Sequence, residues 1–230
     1  MITVCIMSYG YAHLVAQAIE SVLLQTKKPG KIIVVDDGNH DGVDKVASMY
    51  GLKAIVRGKN IGIVNNFNDI LMNHVKTDKV MFLGAGNWLR PDALEKMDTG
   101  ADITSSDICL FGQEADKFCE QVSGSDLENG YHIWKFIQGN IEECNYIHGS
   151  SLYNANLAKK FGYEPTGNKN SEEDWMLWKK MFKAGATHIH ISEPLLYYRR
   201  HKMNFQQNEP SKKIKKSRAE RFAIWDFLKT

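Results

Sequence analysis

The sequence predicts an α/β domain with a mostly parallel central sheet and helices on both faces. Three observations carry this reading. Through residue 83, short apolar runs alternate four times with stretches of helical period, the pattern of parallel strands joined by crossover helices. Glycine, asparagine or aspartate follows most of the apolar runs, as it does at strand ends. With 43% hydrophobic and 24% charged residues over 230 positions, the composition is that of an ordinary globular chain.

The elements follow in order. Residues 2–7 form an apolar strand, and 12–25 place Leu14, Val15, Ala18, Ile19, Val22 and Leu23 at helical spacing. Pro29-Gly30 breaks the chain before a buried strand at 31–35. Residues 41–50 read as a helix with Asp41 as its N-cap and Gly51 at its end. A strand at 53–56, a helix at 62–75 and a strand at 79–83 complete the alternation. Residues 88–95 read as a turn into a helix. Farther on, 102–111 suits a strand, 112–130 a polar excursion, 131–138 and 154–161 short helices. Residues 172–184 carry Trp175, Met176, Trp178, Lys179 and Phe182 at helical spacing, and 189–198 hold one or two strands broken at Pro194. The expected organisation is a domain over 1–205 and a basic amphipathic helical tail over 206–230, with Lys212, Lys213, Lys215, Lys216 and Arg218 preceding Phe222, Ile224, Trp225 and Leu228.

Several classes of function are disfavoured. A net charge of +2 does not argue for nucleic acid. No apolar run reaches the length of a membrane span, and the first residues read as a strand rather than a signal peptide. Cys5, Cys109, Cys119 and Cys144 lack Cys-x-x-Cys spacing, so reduced thiols in a cytoplasmic protein are expected rather than zinc or disulfides.

Ligands of such sheets gather at the carboxyl ends of the strands. That puts Ser8-Tyr9-Gly10, Asp36-Asp37-Gly38 and Gly84-Ala85-Gly86-Asn87 on one rim. Carboxylates at 36 and 37 suit hydrogen bonds from a base or ribose. Lys59 and Asn60 precede a helix N-terminus able to hold phosphate. Glu172, Glu173 and Asp174 open a helix: either they compensate its dipole, or one is a general base whose pKa its neighbours raise. Arg199, Arg200 and His201 follow a strand, either as a solvated edge or as phosphate-neutralising cations.

In this order the segments resemble the inverting family 2 glycosyltransferases of the GT-A fold, a Rossmann-like architecture. The resemblance runs from Ile2 to about His201. Its marks are Ser8-Tyr9, Gln25-Thr26, Val35-Asp36-Asp37-Gly38, Asn60-x-Gly62 through Asn68, Leu89-x-Pro91-Asp92, Glu173-Asp174-Trp175 with Leu177-Trp178, and Tyr198-Arg199-x-His201. It implies a nucleotide-diphospho-sugar donor and a glycan or lipid-linked saccharide acceptor, in surface glycan biosynthesis. Residues 1–100 become the nucleotide-binding half and 101–205 the acceptor and catalytic half. By position, Asp37 contacts the base, with Met7, Ser8, Tyr9 and Asp36 beside it. Lys59, Asn60, Gly84, Ala85, Gly86, His148, Arg199 and His201 complete the donor side. Asp174 is the catalytic base, with Glu173 and Trp175 toward the acceptor.

One departure is large. Gly84-Ala85-Gly86 replaces the Asp-x-Asp motif with which the family holds Mg²⁺ or Mn²⁺. Any such ion would lack those ligands, so the expected enzyme is metal-independent or weakly metal-dependent. The leaving diphosphate then needs another cation, for which Lys59, Arg90, Arg199, Arg200 and His201 are candidates. The alternative is a non-catalytic homologue that binds a nucleotide sugar or a partner. The expected location is cytoplasmic, with the tail either at the inner face of the membrane or docked on the domain or a second subunit of a homodimer.

Overall fold

The runs rich in valine and isoleucine are strands covered on both sides, which is why they read as continuous apolar stretches. The structure, a computed structural model, describes residues 1–113, 115, 125–128, 131–165 and 172–200. β1 (Ile2–Ser8) pairs in parallel with β2 (Lys31–Asp36) on one side and β4 (Lys79–Gly84) on the other, and β3 (Ala54–Val56) extends β2 in parallel. Beyond β4 the sheet continues through β9 (Leu152–Asn154), β6 (Ile103–Phe111), β10 (His188–Arg199) and β5 (Trp88–Leu89). β10 runs parallel to β6, while β9 and β5 are antiparallel to their neighbours. β8 (Tyr131–Trp134) pairs with the second half of β6, and β7 (Ser125–Glu128) with β8.

The two-residue period of the strands splits the core into two layers. Ile2, Val4 and Ile6 of β1, Val34 of β2 and Met81 and Leu83 of β4 face one layer, which α1 (Ala12–Leu23), α2 (Val43–Met49) and α4 (Ala93–Met97) cover. Cys5, Ile33, Val35, Val80 and Phe82 face the other, covered by α5 (Ala155–Lys159), α6 (Glu173–Lys183) and a π-helical turn at Ile70–His74 that continues α3 (Ile63–Asp69). The expected α/β fold with helices on both faces is therefore observed. Among the described residues, no helix is long and apolar enough to cross a membrane.

Three local expectations change. Residues 131–134 are strand rather than helix: Ile133 is buried while Tyr131 is exposed, and the segment registers against Ile108–Leu110. Aromatic and β-branched side chains on a half-buried pleat explain this better than helical period. β10 is not broken at Pro194; its register against β6 shifts there instead, so a residue without an N–H fits inside a strand. Asp41 does not cap α2, which starts from Gly42 in the left-handed region with no side-chain cap. Its Oδ2 accepts the N–H of Ala12, the first residue of α1, at 2.9 Å and so ties the second rim loop to the first helix. The expected tail at 206–230 lies outside the described residues.

Trp178 anchors the second layer. It is fully buried, packs edge-on against Tyr153 with ring centroids 5.1 Å apart, and donates from Nε1 to the Ile147 carbonyl at 3.0 Å. Trp178→Phe removes both volume and that bond, so it should cost about 1–3 kcal/mol in urea unfolding, with an unchanged m-value.

Candidate functional site

A cavity of about 770 Å³ opens at the carboxyl ends of β1, β2 and β4, where a parallel sheet presents its ligand site. Met7, Ser8, Tyr9, Asp37, Asn60, Gly84, Ala85, Gly86 and Arg199 of the expected donor residues line it. Tyr11, Asn66, Phe67, Asn87 and Tyr198 also line it, although the sequence reading gave them no role.

The rim loops are laced together by backbone bonds. The Asp37 N–H donates to the Ser8 carbonyl at 2.9 Å, and the Ala85 N–H to that of Met7 at 2.9 Å. The two acids at the end of β2 have separate jobs. Asp36 is buried, and its two oxygens accept the N–H groups of Asn39 and His40 at 3.0 and 3.1 Å, which folds the loop on itself. It is not on the cavity wall. Asp37 is on the wall, and its Oδ1 accepts the Ile61 N–H at 3.2 Å. Burial pushes its pKa up; the Ile61 amide and the Arg57 charge pull the other way.

The expected cations disperse. Lys59 is exposed and does not line the cavity, although its backbone packs against Gly38. Arg90 is held by Asp92 (2.6 and 2.9 Å) and Glu193 (2.6 Å), which leaves it a structural pair away from the wall. Arg200 donates its N–H to the Phe111 carbonyl, and its guanidinium lies over the Tyr198 ring. His201 lies outside the described residues. Arg199 is the exception. It is 2% exposed, its guanidinium lies over the packed pair of Trp88 and Phe111 rings, and it lines the cavity. Its Nε donates to the Gly86 carbonyl at 3.1 Å and its Nη2 to Gln17 Oε1 at 2.7 Å; its backbone N–H donates to Asn87 Oδ1 at 3.0 Å.

Asp174 opens α6, outside the cavity wall. Its Oδ1 accepts the Trp175 N–H at 2.7 Å and faces Asn145 Nδ2 at 3.4 Å. Gly149 lies so near that a Cβ there would stand 2.9 Å from Asp174 Oδ2. Burial, then the Glu173 charge, pushes the Asp174 carboxyl up to about 7. Glu173 is buried with its own pKa raised by desolvation. Tyr163 feels both acids and packs edge-on against Phe67 of the cavity wall, ring centroids 5.2 Å apart. Trp175 commits its Nε1 to the Ile141 carbonyl at 2.6 Å, with Lys179 Nζ 3.9 Å from its ring. The His148 imidazole packs on Phe136 and is held to about 4 by burial and by the nearby His190. It is a neutral ring at physiological pH.

The fold is the GT-A fold of glycosyltransferases. The sequence model described as glycosyl transferase family 2 matches residues 3–162, and the chain belongs to that family. An uncharacterised glycosyltransferase of Haemophilus influenzae is 24% identical over 94% of this chain and 72% of its own length. The bifunctional glycosyltransferase pgtA of Dictyostelium discoideum is 24% identical over 80% of this chain, which spans only 29% of pgtA. Among solved structures, residues 1–349 of S. aureus TarS in complex with UDP-GlcNAc superimpose with a TM-score of 0.67 at 16% identity, covering 90% of this chain and 61% of that one. Mannosyltransferase PcManGT from Pyrobaculum calidifontis, in complex with GDP-Man and Mn²⁺, gives 0.62 at 16% identity, covering 89% and 58%.

The residues at the 84–87 turn do not fit the divalent cation of the wider family. Such an ion takes hard oxygen ligands, chiefly carboxylates. Here the Asn87 and Gly86 oxygens already accept from Arg199, whose positive charge opposes a second cation. No group of three or more His, Cys, Asp or Glu able to hold a metal occurs among the described residues.

Proposed function

We propose that this chain transfers a sugar, with inversion, from a nucleotide-diphospho-sugar to a saccharide hydroxyl, and that it does so without a divalent metal. The observation that carries this reading is the buried Arg199 guanidinium, laced to the Gly84–Asn87 turn where the family's aspartates would stand. The donor reading is supported by Asp37 on the wall of a cavity at the sheet's carboxyl rim, and by neighbours crystallised with UDP-GlcNAc and GDP-Man.

The acceptor oxygen attacks the anomeric carbon from the side opposite the diphosphate. Its proton passes to the Asp174 carboxylate as the new C–O bond forms and the bond to the β-phosphate oxygen breaks. Negative charge accumulates on the departing nucleoside diphosphate. Arg199 opposes it from a water-poor wall, where a fixed charge acts more strongly than in water. Asp174 must be ionised to accept the proton, and with its pKa near 7 it is ionised above neutrality. Activity should therefore rise with pH through about 7 and level off above.

The test is donor turnover with and without EDTA, for the wild type and Asp174→Asn. Turnover that survives EDTA and disappears in the variant is expected. Turnover that stops in EDTA and returns with Mn²⁺ would refute the metal-free route. Nucleotide binding with no turnover of any donor would instead favour a non-catalytic homologue, a reading that the missing aspartates also support. The tail's membrane role stands on its basic sequence alone; flotation of the full chain with anionic liposomes, lost on deletion of 211–230, is the expected result.

A further inference from the structure

Asp174 and Trp178 stand four residues apart on α6 and so share one of its faces. Both meet the same loop. Trp178 Nε1 donates to the Ile147 carbonyl at 3.0 Å, and Asn145 Nδ2 faces Asp174 Oδ1 at 3.4 Å. The Gly149 backbone closes on the other oxygen: an added Cβ would stand 2.9 Å from Asp174 Oδ2. The loop is also braced within itself, because the His148 carbonyl accepts the Ser151 N–H at 3.1 Å and the Ser151 hydroxyl at 2.7 Å. Asn145 is exposed, yet its amide is oriented. Its Oδ1 accepts the Ile147 N–H at 3.2 Å, the turn that an asparagine makes with the amide two residues on. With the oxygen committed to Ile147, the Nδ2 donors are turned to Asp174. The 3.4 Å distance is at the long end for a hydrogen bond, as contacts to a catalytic base often are before substrate binds.

The two carboxylate oxygens therefore differ. Oδ1 accepts the Trp175 N–H at 2.7 Å and faces Asn145. Oδ2 accepts no hydrogen bond among the described residues, and the residue beside it is a glycine, which leaves space there. Each donor on Oδ1 favours the ionised carboxylate, against burial and the Glu173 charge. Glu173 on the same helix and Tyr163 after α5 are the titratable groups that interact with it; Asn145 is neutral.

We propose that Asn145 is the positioning residue of the base: it holds Asp174 by Oδ1 and leaves Oδ2, in the space that Gly149 provides, to take the acceptor's proton. The acceptor's O–H bond breaks as the Oδ2–H bond forms, and the electron pair left on the acceptor oxygen makes the new C–O bond. This inference rests on the reading of Asp174 as the base.

Asn145→Ser in the full chain tests it. Serine makes the same local turn with an amide two residues on but has no donor at the Nδ2 position. Two readouts are compared: the pH dependence of the single-turnover rate, and the ¹³C titration of the Asp174 carboxyl, assigned by its loss in Asp174→Asn. Both midpoints should stand at about 7 in the wild type. In Asn145→Ser they should rise together by roughly half to one pH unit, so that turnover at pH 6 falls about three- to tenfold and the deficit shrinks as pH rises. Asn145→Asp keeps an oxygen for Ile147 and sets a like charge against Oδ1, so both midpoints should rise by about one unit or more. Gly149→Ala fills the space beside Oδ2 and should lower kcat about tenfold or more even at pH 9. Full activity of that variant would overturn the choice of Oδ2. A carboxyl midpoint that stays at the wild-type value in Asn145→Ser would mean a structural loop residue and would overturn the assignment. A carboxyl midpoint that rises while the rate profile stays put would show instead that Asp174 is not the base, and would overturn the reading on which the assignment rests.

Discussion

Asp174→Asn is expected to lower kcat by about 10²- to 10⁴-fold while making the folded protein more stable at pH 8. The first effect follows from removing the only group assigned to take the acceptor's proton. The second follows from linkage. The fold raises the Asp174 pKa from 3.8 to about 7, so between those values the folded state holds a proton that the unfolded state has released. The carboxyl's favourable contribution is full below the unfolded pKa and is lost as pH rises through the folded one. At pH 8 the site carries a charge that burial and Glu173 both disfavour. Asparagine removes that charge and keeps the shape. Solvent screening at a partly exposed residue reduces the gain to about 2 kcal/mol, or roughly 4–8 °C in Tm for a domain of this size. At pH 4 the two proteins should melt almost together. Differential scanning fluorimetry at both pH values, beside single-turnover assays, checks the pair of effects; a variant destabilised at pH 8 would contradict the electrostatic account.

Gly38→Ala is the second large perturbation. Gly38 has φ +81°, a region that favours glycine, and a Cβ there would lie 2.2 Å from the Lys59 carbonyl carbon and 2.6 Å from the Asn60 nitrogen. Those are backbone atoms of the loop whose next amide holds Asp37, so relief of the clash must pull Ile61 off the carboxylate. The expected loss is on the order of 3 kcal/mol in urea unfolding, with nucleotide affinity down about tenfold or more. Gly42→Ala is the control: φ is +100° but nothing lies within 4 Å of the added atom. It should cost only the left-handed strain, about 1 kcal/mol, and leave nucleotide binding intact. Equal effects at 38 and 42 would show that conformational strain, not the close approach, sets the outcome.

Much of the first half was legible because its signals are local. Ile32 to Val35 followed by Asp36-Asp37-Gly38 announces a buried strand that ends at a rim, and the chain does this wherever the sheet is parallel. The division of labour between the two acids was not legible. Asp36 and Asp37 differ only in which side of the pleat they occupy and which amides come near them. The cations were legible as residues but not as roles. Arg90 and Arg199 look alike in sequence, yet Arg90 meets Glu193 across 103 positions and Arg199 meets Gln17 across 182. Asn66 carried one weak signal, a polar residue on the inward side of a helix, and the Arg57 that holds its oxygen sits in the loop after β3. Residues 131–134 misled because a single strand next to a polar excursion shows too few periods to separate from a helical turn.

The bond between Arg199 and Gln17 also bears on the order in which the molecule assembles. β1 through β4 all lie within the first 84 residues and can pair with one another as soon as that part of the chain exists. β10 must wait for β6, more than eighty residues earlier, before its last residue can reach α1. The wall that carries Asp37 thus depends only on the first strands, and the wall that carries Arg199 on the last one. Docking of the last strand is what brings a fixed positive charge, Arg199, to a rim cavity that β1, β2 and β4 already frame.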